Sequence, residues 1–144
     1  MSWDLLDFIA AGVLIGGTAL GVFLFLRVSR TAAYRIAAIC GVLGCLALVW
    51  MNAAVGFIGA AANDFNMLYL AVPLAGLAGA LISRARSRGL ALTAIAMAAL
   101  MALMLAAGAI FMTDELAPQI IGLHLAFIAL FGFSAWQFRL ASQP

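Results

Sequence analysis

The chain has 144 residues, of which 68% are apolar and 8% charged, for a formal net charge of +2. A soluble domain would be about a quarter charged, so this composition excludes one and predicts an all-α, integral-membrane helical bundle, a single transmembrane domain over residues 1–144. The small positive charge sums two opposed groups rather than one basic face, so no nucleic-acid partner is implied.

Every basic residue is an arginine, and the arginines occupy three places: Arg27, Arg30 and Arg35; Arg84, Arg86 and Arg88; and Arg139. The acids fall between them, at Asp4 and Asp7, at Asp64, and at Asp114 and Glu115. Successive clusters are separated by roughly 17–24 almost purely apolar residues, enough to cross a ~30 Å hydrocarbon layer. Arginine-rich loops stay on the cytoplasmic side, whereas acids have little influence. Five transmembrane helices follow, with the N-terminus outside and the C-terminus inside. The N-terminus has neither a basic leader nor a small-residue cleavage site, so a removable signal peptide is not expected.

The first span, about Leu5 to Leu26, carries the pairs Gly12/Gly16 and Gly17/Gly21, spacings that let a neighbouring helix approach closely in lipid. Trp3 precedes it as an interfacial anchor. The second span, about Ile36 to Gly59, starts from the inner anchors Tyr34 and Arg35 and carries one amide, Asn52. It also holds Cys40 and Cys45, whose helical separation of about 7.5 Å excludes an intrahelical disulfide. The third span, about Met67 to Ser83, contains Pro73, which crowds the carbonyl of Tyr69 and predicts a kink. If that span were re-entrant, the count would be four. The fourth, about Leu90 to Met112, has a small-residue ridge at Ala98, Ala102 and Ala106. The fifth, about Gln119 to Phe138, ends at the anchor pair Trp136 and Arg139.

Depth is the informative pattern. Asn52 lies about 10 Å, and His124 about 8 Å, below the outer ends of their helices. Asn63, Asp64, Asn66, Tyr69, Asp114, Glu115 and Gln119 cap the same side. One expectation is an outward-facing ligand site in which Asn52 and His124 meet across the bundle, with Asp64 or Glu115 pairing the imidazole and Trp50 flooring the pocket. The other is interhelical glue, an amide and an imidazole hydrogen-bonded across helices with no ligand, and Trp50 as a core tryptophan bonded to a neighbouring amide.

Met97, Met101, Met104 and Met112 share one face of the fourth span. Thioethers suit Cu(I), yet they also fill irregular packing gaps, and the spacing supports no more than a helical face. One histidine excludes bis-histidine haem ligation within a chain. There is no nucleophile with an adjacent base and no Gly-rich phosphate loop, so neither an enzyme nor a cofactor is expected.

The stretch Trp50-Met-Asn-Ala-Ala-Val-Gly-Phe-Ile-Gly59, followed by Asp64, Asn66 and Tyr69, resembles an uncharacterised group of small multi-pass bacterial inner-membrane proteins. Their shared pattern is Trp-x-Asn-x-Ala-Val-Gly-x-Ile-Gly, then an acidic Asn-rich loop with Asn-x-x-Tyr. The group's loop usually reads Asp-Asn-Pro-Ala-Asn; here it is Asn63-Asp-Phe-Asn66, without the proline. The resemblance implies a bacterial inner membrane and points at Asn52, Asp64, Asn66 and Tyr69, and it carries no activity. Two functions are expected from the whole. One is a non-enzymatic accessory or scaffold subunit, associating through glycine-rich helix faces with a second copy or a larger membrane complex, with membrane lipids around it. The other is a small oligomeric transporter or channel using the outward polar site.

Overall fold

A computed structural model describes residues 4–59 and 63–144. Five helical segments are long and apolar enough to cross a membrane. They are α1 (Leu5–Val28), α2 (Ala32–Ala54), a 3-10 segment (Asp64–Leu70) continuing into α3 (Ala71–Ile82), α4 (Ser87–Phe111) and α5 (Pro118–Ala141). Trp3, the expected first anchor, lies outside the described residues.

The ends of these helices follow from local chemistry. At α1, Asp4 Oδ1 accepts from the Asp7 amide at 2.9 Å and Asp7 Oδ2 from the Asp4 amide at 3.0 Å. This reciprocal cap satisfies two orphan donors and puts negative charge at the helix N-terminus. At the other end, Arg35 donates to the carbonyls of Ser29 and Leu26, a cationic cap on the last turn of α1. Proline opens α5 at its first helical position, where its missing N–H costs nothing.

Two spans differ from their predicted bounds. The second starts earlier than Ile36 and stops at Ala54 rather than Gly59. Gly56 takes φ +78° and Gly59 φ +66°, left-handed conformations that a glycine adopts without strain. The Gly56 amide reaches back to the Met51 carbonyl at 3.2 Å, closing the helix. Phe57 and Ile58 then turn into the bundle, 1% and 0% exposed.

In the third span, Pro73 sits in the first turn of α3, where it is tolerated. Just before it the helix type changes from 3-10 to α. At about 2.0 Å per residue the 3-10 segment adds ~14 Å, and α3 adds ~18 Å at 1.5 Å per residue, so together they match a ~30 Å hydrocarbon layer. The tighter coil adds about 3 Å to what the same residues would span as α-helix alone.

α4 and α5 pack along their length, with α2 on α5, α3 on α4, and α1 on α2. The buried face of α4 is Leu90, Ala91, Ala94, Met97, Met101, Met104 and Gly108. The Ala98, Ala102 and Ala106 ridge therefore does not pack as expected: Ala102 and Ala106 are exposed and Ala98 half-buried. Tyr34 is likewise no interfacial anchor. It is 1% exposed, its hydroxyl donates to the Ala85 carbonyl at 2.8 Å, and its ring meets Phe138 edge-on at 5.3 Å. That contact joins the start of α2, the α3–α4 turn and the end of α5, so all three arginine clusters share one end of the bundle. Asn63 donating to Glu115 at 3.3 Å joins two of the acidic connections at the other.

Candidate functional site

The polar side chains at the acidic end converge on the 3-10 segment. Asn63 begins it: its Oδ1 accepts from the Phe65 amide at 3.0 Å, an Asx turn that starts the coil. Three residues on, Asn66 points inward and is 2% exposed. Its Oδ1 accepts from the amides of Phe57 and Ile58 at 2.9 and 3.0 Å, and its Nδ2 donates to the Ile58 carbonyl at 3.2 Å. These are the backbone groups freed where α2 ends. Buried non-helical backbone must find partners within the protein, and one asparagine side chain supplies three of them. From α2, Asn52 Nδ2 donates to the Asn66 carbonyl at 2.9 Å. The Asn52 Oδ1 is buried without a hydrogen-bond partner among the described residues.

From α5, His124 reaches the same segment one turn further along. Its Nδ1 is 2.7 Å from the Ile120 carbonyl, and a carbonyl only accepts, so Nδ1 carries the proton. With Nδ1 protonated, the neutral form of the ring presents Nε2 as an acceptor for the Tyr69 hydroxyl, 2.7 Å away. Both His124 and Tyr69 are 0% exposed. Phe57 stacks on the Tyr69 ring at 4.6 Å and meets His124 edge-on at 5.6 Å. The loop residue thus lies against the pair that Asn66 holds it beside.

Asn52 and His124 consequently do not meet; α2 and α5 grip the 3-10 segment separately, at Asn66 and at Tyr69. Neither Asp64 nor Glu115 pairs the imidazole. Both are exposed, and Glu115 instead accepts from Asn63. A carboxylate drawn to the depth of His124 would lose its hydration, whereas a phenol supplies the same hydrogen bond uncharged. Trp50 is also corrected. It is 38% exposed, on the side of α2 away from its buried residues Tyr34, Ala37, Ala38, Gly44 and Leu48, and so is neither a core tryptophan nor the floor of a pocket. Met97, Met101 and Met104 fill the core, and no group of three or more His, Cys, Asp or Glu is placed to hold a metal among the described residues.

Phe57 and Ile58 were missed because hydropathy counts them as membrane span; the signal was the pair of glycines flanking them. A second feature lay beyond single-helix patterns. A cavity of about 410 Å³ opens in the arginine-side half, lined by residues of all five helices. Comparison with known protein families, curated proteins and solved structures finds no match to this chain.

Proposed function

We propose that this chain is a small non-enzymatic membrane protein, an accessory or scaffold subunit that docks through α1 onto another transmembrane helix. The supporting observation is the standing of α1. It contributes no buried residue, and a Cβ placed at Gly12, Gly16 or Gly17 would meet nothing within 4 Å. Among the described residues those glycines serve no packing, while their spacing admits a close backbone approach from outside the chain. The acidic-end polar cluster, by contrast, directs most of its hydrogen bonds inward. The lipid setting is a bacterial cytoplasmic membrane with the N-terminus outside, following the arginine distribution and the resemblance described above.

Leucine at Gly12 and Gly16 is the test. The double variant is expected to fold as the parent does, since space is open at both positions, and to lose its association when extracted complexes are sized or crosslinked. Undiminished association would overturn the proposal. Orientation is checked with Asp64→Cys and Ser87→Cys in a background lacking Cys40 and Cys45. A membrane-impermeant thiol reagent on intact cells is expected to label position 64 and spare position 87; equal labelling would remove the inside–outside assignment.

The alternative is a small oligomeric transporter or channel with an outward-facing polar site around Asn52 and His124. It is favoured by the buried Asn52 Oδ1, an acceptor with no hydrogen-bond partner among the described residues. Solute or ion flux in vesicles that disappears in a folded, assembled Asn52→Leu variant would select it over the scaffold.

A further inference from the structure

We infer that the arginine-side half of the bundle is a binding site for one anionic phospholipid, its acyl chain in the five-helix cavity and its phosphate on Arg84, Arg86 and Arg88. The cavity, about 410 Å³, is of the size that holds a small ligand, where a well-packed interior would leave voids little larger than a water molecule. Small residues line it: Gly21 on α1, Ala38 and Gly41 on α2, Gly76 and Ala80 on α3, and Ala94 on α4. The hydroxyl protons of its polar lining are already committed to backbone carbonyls. The Thr93 hydroxyl donates to the Gly89 carbonyl at 2.8 Å and the Ser134 hydroxyl to the Ala37 carbonyl at 2.8 Å. Such a space favours hydrocarbon.

Its shape suits a chain entering from the bilayer. The floor is closed by Ala38 and Phe131, 2% and 0% exposed, while the rim leucines Leu24 on α1 and Leu77 and Leu81 on α3 are 54%, 60% and 70% exposed. The opening therefore lies between α1 and α3, toward lipid. Along α2 the lining runs from Ala37 to Cys45, about 12 Å of rise and most of one leaflet's half of a ~30 Å hydrocarbon layer.

Charge complementarity identifies the head. The lining ends on the arginine side at Val28, Ala85 and Leu90. At the same α3–α4 turn, interleaved in sequence with the cavity's Leu81, Ala85 and Leu90, a polar recess is formed by Ser83, Arg84, Arg86, Arg88 and Gly89, with Ile82. Of the other arginines, Arg27 lies 4.5 Å from the Phe23 ring and Arg35 caps α1, whereas Arg30 and Arg139 lie outside the recess. The side chains of Arg84, Arg86 and Arg88 make no hydrogen bond or ion pair among the described residues, and the acids stand at the opposite end of the bundle. Three uncommitted guanidiniums suit an oxyanion that accepts paired N–H donors.

The full chain, reconstituted in nanodiscs containing equal phosphatidylglycerol and phosphatidylcholine and released into the gas phase, should retain one phosphatidylglycerol per protein. Replacing Arg84, Arg86 and Arg88 with glutamine should weaken that retention on the order of a hundredfold, from about 1 kcal/mol per basic residue. Ala80→Phe, which fills the cavity from its rim and leaves the arginines alone, should also abolish retention. Inorganic phosphate should not displace the lipid, since it lacks a chain for the cavity. Equal retention of the two lipids, or displacement by phosphate, would overturn the inference. So would survival of retention in both variants, or a lipid-free dimer, which would assign the groove to a second copy.

Discussion

Asn66→Ala is expected to be the most destabilising substitution at the acidic end, costing about 2–5 kcal/mol in reversible unfolding from mixed micelles. The magnitude follows from what the side chain satisfies. Phe57 and Ile58 are buried and outside any helix, and both their amides donate to Asn66 Oδ1. Each buried donor left without an acceptor costs about 1–3 kcal/mol. Asn66→Asp separates the contributions. It keeps an acceptor for the two amides, loses the donor to the Ile58 carbonyl and adds a charge at a residue 2% exposed. Asn52→Leu should be milder, about 1 kcal/mol, because it removes one hydrogen bond from a half-buried group. Amide exchange at Phe57 and Ile58 should rise in Asn66→Ala and stay slow in Asn52→Leu. Unchanged unfolding in Asn66→Ala would mean that the loop is held by its aromatic packing alone.

The number of spans was legible because it is a matter of length and charge, both one-dimensional. The partners of the polar residues were not. Depth placed Asn52 and His124 near one end of the bundle, but contact also depends on helix rotation and on where each helix stops. The second span was read as continuing to Gly59 because Val55, Phe57 and Ile58 are as apolar as the helix before them. Gly56 ended it instead, and the freed backbone, rather than His124, became the nearest demand for amides. On α4 the small and the sulfur-bearing stripes were both periodic, and the larger side chains were the ones buried. The cavity had no signature at all in any single helix, since it arises where glycines and alanines of several helices fall opposite one another.

Tyr69→Phe and His124→Leu, taken singly and together, should show that the tyrosine–histidine pair is a coupled unit. Tyr69→Phe keeps the ring stacked on Phe57 and removes the hydroxyl, leaving His124 Nε2 buried without a donor, at a cost of about 1–3 kcal/mol. His124→Leu removes the acceptor from a hydroxyl just as deeply buried. The double variant replaces both partners by apolar groups, which can be nearly neutral, so it should be more stable than the sum of the single losses allows. Polar pairs in lipid average a coupling of about 0.6 kcal/mol, with ~1.7 at the upper end. A 2.7 Å bond between two residues 0% exposed belongs near that upper value. Its location gives the coupling a meaning beyond stability, because it joins α5 to the 3-10 segment that lengthens the third span. If the cycle closes with no coupling, the imidazole is not holding that segment, and His124 becomes available for ligand chemistry. If the coupling is present and association through α1 persists in the double variant, the pair is cement for the bundle, separate from its docking face.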